Sequence, residues 1–224
     1  MPTSIVADRP EILYLFDPLC GWCYGMSPVI RQAQQAFAGR VDVSVLCGGM
    51  LTGDDVAPIA TSWDFLSGAA AQISDVTGAE FGAAYHTVGE TGAMLLNSEP
   101  PSRAITVFRQ LDGDQQRTIQ FAHDVQTALF RDGQNLNELA TYVPLLKPYG
   151  LDVATFERLW QAPETAQVVQ QEFATVGRLN LEGLPTTVLR VGNEGYILAK
   201  GYQPYTVFAA GLEQALVEKA GGQL

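Results

Sequence analysis

A chain of 224 residues with 47% hydrophobic and 17% charged side chains has enough apolar surface for a compact core, which excludes wholesale disorder. Its formal net charge of −11 opposes partnership with nucleic acid or an anionic membrane surface, since both need clustered Lys and Arg. No apolar run approaches the length of about 18 residues that crosses a bilayer, and Asp8 and Arg9 interrupt the opening segment where a secretory signal needs an unbroken apolar stretch.

Met1-Pro2 reads as a native start, so the expected compartment is the cytoplasm. There, three cysteines do not make a structural disulfide framework, and a C-x-x-C pair points to redox or metal chemistry.

In chain order, Ile12 to Phe16 is a continuous apolar run that predicts a central strand, ended by Asp17-Pro18. Met26, Val29, Ile30, Ala33 and Phe37 recur at helical spacing up to Gly39, which places Cys20-Gly21-Trp22-Cys23 at a helix N-terminus. Val41, Val43 and Val45 alternate with polar residues, as in a strand near a sheet edge, and Gly48-Gly49 stops them. Together these predict a right-handed β-α-β unit with parallel strands.

From about 54 to 178 no strand is expected. Helices are predicted over 102–111, 114–131, 137–147, 153–160 and 164–179. Thr186 to Val191 and Tyr196 to Ala199, joined through Gly192-Asn193-Glu194-Gly195, form a hairpin; a final helix carries Val207, Phe208, Leu212 and Leu216 and is followed by Gly221-Gly222. The fold class is α/β, β-α-β plus β-β-α, with residues 10–50 and 180–220 forming one domain and 51–179 a helical insertion.

Thiol–disulfide exchange needs an attacking thiolate and a second thiol near enough to resolve the mixed disulfide, and two intervening residues supply that spacing. At the helix cap, backbone N–H groups and the dipole favour a thiolate on Cys20, the expected nucleophile; Cys23, one turn inward, is the expected resolving thiol. Asp17, three residues upstream, would raise the thiol pKa and oppose the helix, and the residues alone leave open which of the two prevails. A zinc or iron–sulfur half-site would need two more ligands, for which only Cys47, His86, His123 or carboxylates remain, so no metal is expected. Cys47 reads as a buried structural thiol and the two histidines as packing residues. Trp22 either contacts substrate or packs; Trp63, Phe65, Phe121, Phe130, Phe156 and Trp160 belong to helix packing, with some lining a groove over Cys20.

The strand ending Phe16-Asp17-Pro18, the Cys20-Gly21-Trp22-Cys23-Tyr24-Gly25 segment, the long helical stretch and Gly183-Leu184-Pro185-Thr186 before the hairpin resemble the thioredoxin superfamily, and within it the DsbA family, especially its FrnE-like group. Gly21 departs from the Pro common at that position. The resemblance implies a thioredoxin-like fold, a cis-Pro185 facing the cysteines, and substrate docking beside Leu184 in the manner of an added strand; Pro28 resembles the proline that kinks the first thioredoxin helix. It implies a protein-disulfide oxidoreductase acting on protein or peptide thiols through a redox-active disulfide, with no organic cofactor and with glutathione as a possible co-substrate. The alternative is a glutathione-dependent isomerase or transferase of the kappa or hydroxychromene-carboxylate isomerase type, relatives that typically lack the second cysteine.

Overall fold

A computed structural model of the chain describes residues 9–220. The opening segment through Asp8 and the Gly221-Gly222 pair lie outside the described residues. Strand β1 (Glu11–Phe16) runs into helix α1 (Gly21–Ala36), which returns to strand β2 (Asp42–Cys47). Then come β3 (Ala57–Pro58), α2 (Trp63–Thr77), α3 (Ala83–Thr91), β4 (Leu95–Leu96), α4 (Glu99–Asp112), α5 (Gln115–Phe130), α6 (Val143–Leu146), α7 (Val153–Gln161) and α8 (Pro163–Gly177). Hairpin β5 (Thr186–Val191) and β6 (Glu194–Lys200) and helix α9 (Tyr205–Ala220) close the fold.

The main sheet has the order β2-β1-β5-β6, with β1 and β2 parallel and the other pairs antiparallel. Every residue of β1 from Tyr14 to Phe16 is buried, as its unbroken apolar run requires of a strand with neighbours on both edges and cover on both faces. β2 buries only alternate residues, and its register sets Ile12 beside Val43, Tyr14 beside Val45 and Phe16 beside Cys47. The Tyr14 hydroxyl donates to the Cys23 carbonyl at 2.8 Å, so this is the face that α1 covers. β2 is an edge strand whose open backbone is occupied by side chains. Arg109 donates to the Val45 carbonyl at 2.9 Å, while Glu172, ion-paired to Arg109 at 2.5 Å, accepts the Cys47 N–H at 2.7 Å. Such cover blunts the edge against strand addition.

Pro28 sits inside α1, as the sequence indicates. Two expectations for the stretch 54–178 are corrected. Ala57–Pro58 and Leu95–Leu96 pair antiparallel, a ladder too short to leave a periodic signal in sequence. The single helix expected over 137–147 is instead the short α6 between two 3-10 turns, Leu139–Thr141 and Lys147–Tyr149, because Pro144 and Pro148 remove two of the N–H donors that a continuous helix would use.

Candidate redox site

The C-x-x-C segment meets α2 at a close helix crossing. A Cβ on Gly21 would lie 2.8 Å from Ile73 Cδ1, and one on Gly25 would lie 2.8 Å from both Thr77 Oγ1 and Thr77 Cγ2. Gly21 and Gly25 are four apart, as are Ile73 and Thr77, so the two pairs stack along facing helix surfaces. A larger residue at 21 would press on the end of the Ile73 side chain, which would have to turn aside.

Cys20 is the N-cap of α1. Its Sγ accepts the Cys23 N–H at 3.3 Å, and its thiol donates to the Leu184 carbonyl at 3.7 Å. The first contact satisfies one of the orphan donors that every helix start presents, and it directs the positive end of the helix at the sulfur. Cys23 is fully buried. Burial first, then the hydrogen bond and charge of Cys20, push its thiol well above the ordinary value; the Asp17 backbone pulls it down and the Asp17 charge adds to the rise. The two sulfurs therefore have unlike surroundings, one at a helix cap facing a cleft and one sealed beneath it.

The Leu184–Pro185 peptide bond is cis. The Leu184 side chain fits against Gly48, where an added Cβ would lie 2.5 Å from Leu184 Cδ1. Glycine at that position thus lets the Pro185 loop approach the strand end that carries Cys47. The structure brings Cys20, Cys23, Leu184 and Pro185 together at the C-terminal ends of β1 and β2.

Trp22 lies in an apolar cleft of about 140 Å3 beside Cys20, together with Leu19, Met50, Phe65, Leu66 and Ile73. Phe81, Tyr85 and Phe130 also line it and belong to an aromatic cluster that includes Tyr24 and His123. Phe65 stands 75% exposed at this cleft although it is apolar. Of the aromatic residues assigned to helix packing, Phe65 and Phe130 line the cleft, while Phe121 and Phe156 are fully buried in the core. A second cleft, about 300 Å3, lies on the Leu184 side between Gly48, Asn180 and Gly183.

Asp17, Ser98, Tyr14 and Gln126 complete the floor. Asp17 is fully buried and accepts the Leu19 N–H at 2.9 Å, the Ser98 hydroxyl at 2.9 Å and the Met50 N–H at 2.8 Å. Gln126 donates to the Asp17 carbonyl at 3.3 Å. Burial raises the Asp17 carboxyl above the usual aspartate value, and its donors, Met50 foremost, draw it back. Ser98 and Gln126 carry no sequence signal, since a serine before a helix and a glutamine within one are ordinary. Tyr14 could be read only as strand core.

Cys47 is buried beside the Arg109–Glu172 pair; burial, then Glu172, push its thiol well above the ordinary value. His86 stacks edge-on to Trp63. Among the described residues no three His, Cys, Asp or Glu side chains converge to hold a metal ion. Among the same residues no helix is long and apolar enough to cross a membrane.

Comparison with known proteins bears on the fold that carries these residues. Residues 11–213 match the family described as DSBA-like thioredoxin domain. A protein disulfide isomerase structure from Nitrosomonas europaea, so described on the strength of a provisional assignment, is 22% identical, superposes with a TM-score of 0.80 and shares 94% of this chain and 99% of its own. The cytosolic disulfide reductase DsbM of Pseudomonas aeruginosa, determined with GSH, is 24% identical with a TM-score of 0.72 over 92% of this chain and 99% of its own. In sequence, the ClpXP adapter protein SpxH of Shouchella clausii is 22% identical over 95% of this chain and 69% of its own. With a thioredoxin-like sheet, a cysteine pair at the first helix and a family match over nearly the whole length, the chain belongs to the DSBA-like thioredoxin domain family.

Proposed function

We propose that the chain is a dithiol–disulfide oxidoreductase of the cytoplasm, with Cys20 as nucleophile and Cys23 as resolving thiol, acting on protein or peptide substrates. The observation that carries this reading is the Cys20 sulfur at the α1 cap, within 3.3 Å of the Cys23 N–H and 3.7 Å of the Leu184 carbonyl, at the edge of an apolar cleft. In reduction, the Cys20 thiolate attacks one sulfur of a substrate disulfide; the Cys20–substrate S–S bond forms, the substrate S–S bond breaks, and the leaving thiolate takes a proton. Cys23 then gives up its proton and attacks Cys20 Sγ, which releases the second substrate thiol and leaves the protein disulfide. Two equivalents of glutathione, as co-substrate, return that disulfide to the dithiol with formation of one glutathione disulfide.

Leu184 and the turn at Pro185 offer backbone for an extended peptide, and Trp22 offers an apolar surface beside the sulfur. Neither cleft is lined by Lys or Arg, the side chains that would pair with the two carboxylates of a glutathione held there throughout an isomerase or transferase reaction. This favours apolar peptide over the glutathione-dependent isomerase or transferase reading, as does the presence of Cys23.

The test equilibrates the protein across glutathione buffers while following the Cys20–Cys23 state, alongside insulin reduction and trapping with Cys23→Ser. Disulfide formation, turnover and a mixed disulfide through Cys20 are expected. Failure to form the disulfide under any buffer refutes the reading. The adapter name of the S. clausii relative supports a second reading, a docking protein without turnover; a chain that forms the disulfide yet never reduces a substrate would favour it.

A further inference from the structure

We propose that Asp17 is a positioning residue whose buried negative charge disfavours thiolate at the Cys20–Cys23 pair and so holds the couple on its reducing side. The inference rests on the exchange reading above and supplies the direction of electron flow. Asp17 directly follows β1 and opens the turn that leads to Cys20, and its main-chain carbonyl accepts the Cys20 N–H at 3.1 Å. All three carboxylate hydrogen bonds described above are accepted ones, and two come from backbone N–H groups, which cannot turn round to act as acceptors. An ionised carboxylate meets all of them, whereas a protonated one would carry an extra hydrogen into a ring of donors. Among the described residues no Lys, Arg or His lies within ion-pair distance of Asp17.

The charge is therefore buried, held by dipoles alone, and felt by its neighbours. Burial is the main cause of the rise of both the Cys23 and the Cys47 thiols, and the Asp17 charge adds the smallest of the named contributions in the same direction. Against it stands the α1 N-terminus, equivalent to about half a positive charge. A disulfide carries no charge, so a fixed anion penalises only the reduced state with a thiolate, and couples become oxidising when that reduced state is stabilised. The same carboxylate ties the cysteine loop through Leu19 to the cleft wall at Met50 and to the start of α4 at Ser98.

The experiment compares wild type, Asp17→Asn and Ser98→Ala in glutathione redox buffers, with thiolate absorbance at 240 nm of each reduced protein at pH 7. Asp17→Asn is expected to shift the equilibrium at least tenfold toward the dithiol, about 30 mV more oxidising, with a gain in thiolate absorbance. Ser98→Ala keeps the charge while removing one tie, and is expected to shift the equilibrium less than threefold. A folded Asp17→Asn with wild-type potential and absorbance overturns the proposal, as does Ser98→Ala shifting the potential as far. Reduced wild type already carrying one full thiolate at pH 7 overturns it whether or not the variant folds. Failure of wild type to form the disulfide at all is a different result, which removes the exchange reading and this inference with it.

Discussion

His123 makes the acid stability of this protein a direct test of the site's packing. Its ring stacks on Tyr24, next to Cys23, with centroids 5.5 Å apart, and its Nδ1 is buried without a hydrogen-bond partner. Burial first, then the positive charge of Arg31 and Arg131 against the opposing Asp124, lowers its pKa from 6.5 to about 4. The unfolded chain thus binds this proton more readily than the folded one. The corresponding stability is present above pH 6.5 and is lost as the pH falls through the window down to about 4. A fall of roughly two and a half pH units at 1.36 kcal/mol each amounts to about 3 kcal/mol, of which about 2 kcal/mol disappears between pH 7 and pH 5. His123→Phe keeps an aromatic ring against Tyr24 but has nothing to protonate. Urea unfolding of both proteins at a series of pH values isolates the contribution of this residue, since the carboxylates are common to both. Wild type is expected to lose about 2 kcal/mol more than His123→Phe between pH 7 and pH 5. Parallel pH profiles for the two proteins, or an NMR titration of His123 near 6.5, would refute the account.

Three further outcomes are expected from the packing around the site. Gly25→Val should destabilise by about 1–3 kcal/mol through collision with Thr77, and lower the midpoint of thermal unfolding by roughly 2–4 °C for each kcal/mol; an unchanged midpoint counts against the close α1–α2 crossing. Phe65→Ala should leave the unfolding midpoint within about 1 °C, since the ring is 75% exposed, yet raise KM for an apolar disulfide peptide by about fivefold, near 1 kcal/mol; equal KM values would remove Phe65 from the docking surface. Cys47, buried with a thiol pushed upward, should resist an aromatic disulfide reagent in the native protein and react only on unfolding. Rapid native labelling at Cys47 would contradict its placement.

The parts of the fold that repeat a local pattern were legible from residues alone. The apolar run of β1, the alternation in β2, the helical spacing after Cys23 and the turn residues before β6 each report which faces are buried, because burial selects side chains at the period of the element. The helices expected over 102–111, 114–131, 153–160 and 164–179 were equally visible, and α4, α5, α7 and α8 match them to within three residues at each end. The failure at 137–147 had a visible cause, two prolines inside a helical composition. Residue-type reasoning placed Cys20 at a helix cap and Cys47 in the interior for the same reason: caps and buried thiols depend on immediate surroundings.

What only the tertiary structure decided was the set of residues far apart in sequence that share one environment. Sequence established the cysteine pair and its place at a helix start, and it left the effect of Asp17 open. Folding brings Ser98, Met50 and Leu19 onto that carboxylate and sets Ile73 and Thr77 against Gly21 and Gly25. Spacing along a chain encodes the period of its own helix or strand. The partner that crosses it from dozens of residues away leaves no period to read, and in this site those partners determine the charge beneath the thiols and the wall of the cleft.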